Sequence, residues 1–141
     1  MATVNQNMQS GNLVKALFDG REIGTIQSVE MDDDYGLEPA SGIGDPRPVE
    51  HVPGMARHSL QVSSMMFKRR SMRSAGVAPE NVDGVMQGLV IDIVVYDRVS
   101  GEPIRTYHGC SYASGRTSVA KHTIVMESGT FLAIDVTGAT I

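Results

Sequence analysis

LVIDIVVYDRVSGEPIRTYHGCSYASGRTSVAKHTIVMESGTFLAIDVT, residues 89–137, is the stretch that decides the fold. Leu89–Asp97 is dominated by β-branched side chains, which suit a pleated, half-buried surface. Arg98–Pro103 (RVSGEP) brings Gly and Pro together and predicts a turn. Ile104–Ala113 runs back, and Ser114-Gly115-Arg116 predicts a second turn. Ser118–Glu127 is the next strand, Ser128-Gly129 the next turn, and Thr130–Thr137 the last strand. Strands at this spacing, joined by short turns, are the pattern of a sandwich or small barrel.

Working outward, Ala56–Phe67 (ARHSLQVSSMMF) alternates. His58, Leu60, Val62, Ser64 and Met66 fall on one face, and Arg57, Ser59, Gln61, Ser63 and Met65 on the other. That is a half-buried strand. Asn12–Phe18 and Arg21–Val29 flank Asp19-Gly20, a dipeptide that favours a two-residue hairpin turn because both positions take positive φ. Phe67–Ala75 predicts one or two helical turns ended by Gly76. Residues 77–88 read as loop. The expected fold class is therefore mainly β: an antiparallel β-sandwich or barrel of about seven strands, with one short helix and a long loop after the first hairpin.

That loop, residues 30–55, holds four of the chain's six prolines and lacks periodicity, with room for a short strand pair near its base. A stretch this long is usually functional. It opens a sharp charge asymmetry. Glu30 to Glu50 carries seven acids and one base, whereas His51 to Pro79 carries five bases and no acid. Asp32, Asp33, Asp34 and Glu38 on one side, and Lys68, Arg69, Arg70 and Arg73 on the other, are the candidate subunit-interface residues. A domain with one negative arm and one positive patch binds a copy of itself head to tail, and such contacts build rings and tubes.

The 141 residues make one domain, 1–141, with residues 1–11 as a polar N-terminal arm. The net charge of −4 argues against a general nucleic-acid binder. Cys110 is the only cysteine, so no intrachain disulfide forms, and in a strand it reads as a small buried hydrophobe. The opening MATVNQNMQSGN lacks the basic and apolar regions of a signal peptide, and no run is apolar enough for a membrane anchor. The expectation is a protein made and kept in the cytoplasm.

Catalytic and metal constellations are not suggested. His108 and Cys110, two apart on one strand, are the nearest approach to a ligand pair, with no second pair to complete a site. Counting from Asp32, the sixth residue is Leu37 and the twelfth Ile43, which breaks the EF-hand pattern. SGIGDP lacks the Lys-Ser/Thr of a phosphate loop. No enzyme, cofactor or metal is expected. Asp92 stands alone among apolar neighbours in LVIDIVVYD.

The order of elements resembles that of the tail tube proteins of tailed bacteriophages and their relatives in contractile injection systems, including the type VI secretion tube. The resemblance runs from NLVKALFDGREIGTI (12–26) through TFLAIDVTGATI (130–141). It rests on size, element order and the position of the long loop. It implies a β-sandwich whose sheets join around a six-fold ring into a continuous inner barrel, with rings stacked into a tube. It also implies that the long loop reaches a neighbouring ring, that the arm and C-terminal end add contacts, and that DNA passes through the lumen without specific binding. On this reading Asp92 is the lumen candidate, its alternative being a paired acid in the core. The implied partners are the chain itself and the tail sheath, baseplate and tape-measure proteins. The implied location is the virion tail, after assembly in the host bacterial cytoplasm. Two alternatives stand beside it. One is a tail completion, baseplate or other minor virion protein of related fold. The other is a small OB-like nucleic-acid-binding module using Lys68–Arg73, which the opposite facing of Tyr107 and Tyr112 weakens.

Overall fold

The computed structural model describes residues 11, 14–20, 25–65, 72, 76–98 and 100–138. The elements are β1 (Val14–Phe18), β2 (Thr25–Asp34), β3 (Glu38–Ala40), β4 (Glu50–Val52), β5 (Arg57–Met65), α1 (Val82–Met86), β6 (Ile91–Asp97), β7 (Pro103–Ser118), β8 (Met126–Ala133) and β9 (Asp135–Thr137). The protein is mainly β, as its alternating and β-branched runs require.

Seven strands form one antiparallel sheet in the order β1-β6-β7-β8-β5-β2, with β9 beside β7. The sixteen-residue β7 organises it. Its first half, to Cys110, pairs with β6 and, on the other side, with β9. Its second half, from Ser111, pairs with β8. The sheet thus has two halves, β1-β6-β7-β9 and β7-β8-β5-β2, sharing one strand. The ladder shifts register between Tyr112 and Ser114. A bulge there bends the strand and increases its twist, which lets the sheet curl on itself.

Curling brings one face of each half together around Phe18, Leu60, Val62, Ile93, Tyr107, Cys110 and Phe131. Phe131 is central, with the Phe18 ring at 5.9 Å and the Tyr112 ring at 5.4 Å. Burying such a side chain is worth about 1.5–3 kcal/mol. β5 is buried at His58, Leu60, Val62 and Ser64, the face its alternation predicts.

Several expectations are corrected. Asp19 and Gly20 do take φ of 52° and 76°, but among the described residues they close no hairpin: β1 lies on β6 and β2 on β5. The turn instead passes the chain from one end of the strand order to the other. Asp19 is tied down by donating its N–H to the Asp92 carbonyl (2.9 Å). The loop of residues 30–55 starts later than expected, because β2 runs through Asp34; within it β3 and β4 pair. Ser114-Gly115-Arg116 and Ser128-Gly129 are strand rather than turn. The reversal between β7 and β8 comes at residues 119–125, where His122 has φ of 63°. Residues 82–86, expected as loop, form α1, capped by Asn81, whose Oδ1 accepts from the N–H groups of Asp83 and Gly84. The predicted helix at Phe67–Ala75 lies outside the described residues except Met72, which is buried. The predicted arm at residues 1–11 is likewise outside them, apart from Gly11.

Candidate assembly surfaces

The acids of EMDDD are placed by strand alternation, not by a loop. On β2 the Asp33 carboxylate turns toward the core face, and Glu30, Asp32 and Asp34 turn away from it. Asp33 is committed within its own chain. His58 Nδ1 donates to its Oδ1 at 2.6 Å, and the Arg105 guanidinium sits 3.0 Å from its Oδ2. The His58 ring lies edge-on between Tyr35 (5.7 Å) and Tyr107 (6.3 Å), and Arg105 lies over the Tyr107 ring at 5.7 Å. Burial, then the Asp33 charge, pushes the Tyr107 phenol above its ordinary value. This cluster ties the root of the long arm to β5 and β7.

The other interface candidates fall differently. Asp34 Oδ1 accepts from the Gly36 N–H (2.9 Å), which shapes the exit from β2. Asp32 and Glu38 are exposed. The arm between β2 and β5 also exposes Leu37, Ile43, Val49 and Met55, at 60%, 110%, 75% and 80%. The single subunit thus leaves four large apolar side chains of this arm to solvent. Lys68, Arg69, Arg70 and Arg73 lie outside the described residues.

Asp92 stands on the exposed side of β6 rather than in the core. Its Oδ1 accepts from the Gly109 N–H (3.1 Å), and His108 Nδ1 is 4.0 Å from its Oδ2. Cys110 is buried and donates to the Tyr107 carbonyl (3.4 Å). Burial pushes its thiol up to about 11, the Ile93 backbone contact lowering it and the Asp92 charge adding to the rise. Among the described residues no group of three or more His, Cys, Asp or Glu is placed to hold a metal ion.

Sequence reading missed the outward face of the β7-β8-β5-β2 half. Its cross-strand rows are Arg116, Ser128, Ser63 and Ser28, then Ser114, Thr130, Gln61 and Glu30, then Ser111, Leu132, Ser59 and Asp32. Hydroxyl and amide groups carpet the middle. Arg116 stands at one border and Glu30 and Asp32 at the other. A shallow polar depression between Gln61, Ser63, Ser114, Arg116, Ser128 and Thr130 marks the centre. The signal was present in β5, whose three middle outward positions are Ser59, Gln61 and Ser63, but the row exists only once β7 and β8 are in register.

The borders of this half are open. Among the described residues no strand pairs with the outer edge of β2, and none pairs with Ser111–Ser118 on the side that β6 occupies further back. Unpaired N–H and C=O groups on such edges are templates for another strand.

The family described as Phi812 tail tube protein matches residues 3–137 of the chain. Virion protein 5 of Enterococcus phage phiEF24C is 31% identical over 132 residues, spanning 93% of this chain and 94% of that protein. Among solved structures, the SPP1 tail tube superposes with a TM-score of 0.69 at 16% identity, covering 93% of this chain and 81% of that one. The tail of an empty GTA particle, refined with C6 symmetry, gives 0.67 at 10% identity, covering 94% and 99%.

Proposed function

The chain belongs to the Phi812 tail tube protein family, and from that premise we propose that copies of it form six-fold rings that stack into a channel for DNA. It is a structural subunit of the virion tail and not an enzyme. The observation that carries the proposal is the pair of open borders on the β7-β8-β5-β2 half. A curled sheet with two free edges, running in opposite directions, continues into a copy of itself and closes as a ring.

Closure of this half around an axis puts its core face outward, against the rest of the subunit, and its Ser-, Thr- and Gln-rich face toward the channel. Neutral hydroxyl and amide groups present no array of cations to a phosphate backbone, and Glu30, Asp32 and Asp34 repel it. DNA then moves past without specific binding. The acidic lining falls to these residues rather than to Asp92, which lies on the other half. The apolar arm of residues 35–55 reaches the next ring, where its acids meet Lys68, Arg69, Arg70 and Arg73. Sheath, baseplate and tape-measure proteins are the further partners of such a tube.

Negative-stain electron microscopy of the purified, concentrated protein at low and high salt tests this. Rings or hollow tubes are expected. Particles that stay monomeric at every concentration and salt would overturn spontaneous assembly.

A further inference from the structure

The two open borders differ in charge, and they differ in a way that selects a register. On the outward face the β7 border carries Arg116, and the β2 border carries Glu30 and Asp32, with the hydroxyl carpet between them. Within one copy Arg116 lies in the same row as Ser28, and Ser114 in the same row as Glu30. A second copy that docks its β7 border on this β2 runs antiparallel to it, because the strands alternate in direction across the half. The repeat is therefore a continuous antiparallel sheet.

A closed barrel of tilted strands needs a stagger, so a row cannot close on itself at the same level. The stagger must be an even number of residues, since an odd slip would turn the Ser and Gln side chains into the core. A step of two one way sets Arg116 directly opposite Glu30 and Ser114 opposite Asp32. A step of two the other way sets Ser114 opposite Ser28 and carries Arg116 to the register shift between Ser28 and Ile26, where Ile26 packs against the core, so the guanidinium has no charge partner.

We propose that β2 of one copy pairs antiparallel with Ser111–Ser118 of the next copy, in the register that sets Arg116 against the neighbour's Glu30. The pairing rests on the ring reading above and names its joint. Backbone hydrogen bonds join the edges, and the ion pair, set beside each copy's hydroxyl carpet, chooses which step is taken. Opposite charges directly across two strands favour one alignment, and like charges there disfavour it.

The test compares the wild-type chain with Arg116→Glu, Glu30→Arg and the double reversal, each checked for folding by circular dichroism and urea midpoint, with assembly read by pelleting and electron microscopy. Arg116→Glu is expected to raise the concentration for half-assembly about tenfold or more, and the double reversal to restore it to within about threefold. Unchanged assembly of Arg116→Glu, or a double reversal no better than the single changes, overturns the pairing. Should Arg116→Glu fail to fold, a cysteine pair decides. Ser114→Cys with Asp32→Cys is expected to oxidise into a ladder of covalent oligomers, and Ser114→Cys with Ser28→Cys is not. A ladder from the second pair alone, or from both equally, overturns the register. A wild-type chain that forms no rings overturns the tube reading itself, whereas a wild type that assembles alongside an equally competent Arg116→Glu overturns this joint only.

Discussion

Gly115 and Gly129 face each other across the β7–β8 ladder, and the Tyr112 ring lies over both. A Cβ on Gly115 would overlap the Tyr112 hydroxyl outright and stand 2.6 Å from Cζ. A Cβ on Gly129 would stand 3.1 Å from Tyr112 Cε2 and 3.3 Å from Met72 Cε. These glycines make room for a side chain that covers the end of the core.

Their unequal crowding predicts unequal costs. Gly115→Ala should destabilise the monomer by about 2–3 kcal/mol, the range for overpacking a filled site, and Gly129→Ala by about 1 kcal/mol, since the Met72 thioether can shift. Urea unfolding of both variants checks the order. Combining Gly115→Ala with Tyr112→Ala should recover part of the Gly115 penalty, and additive losses would contradict the ring's role.

The Asp33 cluster should behave as one unit. Asp33→Asn removes the charge opposite Arg105, which is mostly buried, and weakens the bond from His58. A loss of about 2–3 kcal/mol is expected, below the full cost of a wholly buried pair because both groups keep some access to water. Asp32→Asn, one residue away on the exposed face, should change stability by less than about 0.5 kcal/mol. Equal effects in urea unfolding would mean that alternation along β2 does not divide these acids.

Cys110 gives a signed pH dependence. Its thiol is raised from 9.0 to about 11 in the folded chain. Above pH 9 the unfolded chain therefore loses this proton first, so stability is fully present below pH 9 and falls as pH rises toward 11. The loss approaches roughly 2–3 kcal/mol for this group, on the linkage of one pKa unit to about 1.4 kcal/mol. Tyr107 is also raised and adds a fall above pH 10. Thermal unfolding from pH 8 to 11 should show the decline, and Cys110→Ala should remove the earlier part of it. A flat profile between pH 9 and 10 in the wild type would contradict the assignment.

The arm should separate folding from assembly. Ile43 and Val49 touch solvent, so Ile43→Ser with Val49→Ser should leave the monomer's urea midpoint within about 0.5 kcal/mol. Tube length by electron microscopy should nevertheless collapse, because the apolar contact with the next ring is lost. Charge reversal at Arg69 and Arg70 should shorten tubes in the same way at low salt and matter less at high salt, where exposed pairs are screened. Full-length tubes from both variants would remove the arm from the stacking contact.

How much of this was legible depends on the range of the signal. The buried face of β5 was readable because alternation is a local property of the chain, and Cys110 was readable because a lone cysteine in a strand most often packs as a small hydrophobe. Asp19-Gly20 correctly signalled positive φ, but φ is local and pairing is not, so the turn was right and the hairpin wrong. Ser128-Gly129 and Ser114-Gly115 looked like turns because glycine there serves Tyr112, a neighbour no dipeptide rule contains. The true reversal at Lys121-His122 carries no glycine and gave no warning. The acidic run was legible as a charge block, yet the division of Asp33 from Asp32 needed β2 to extend through it. Arg116 was invisible as a border residue because an edge is defined by which strand is missing beside it.

β7 belongs to both halves of the sheet through one unbroken backbone. At about 3.3 Å per residue it spans roughly 50 Å. A pull applied to its outer half, where a neighbour would grip it, travels along covalent bonds into the strand that carries Tyr107 and Cys110, without crossing a loop that could give way. The subunit is thereby built like a beam let into a wall: tension at the joint is resisted by shearing the whole β6–β7 ladder at once, not by opening it one hydrogen bond at a time.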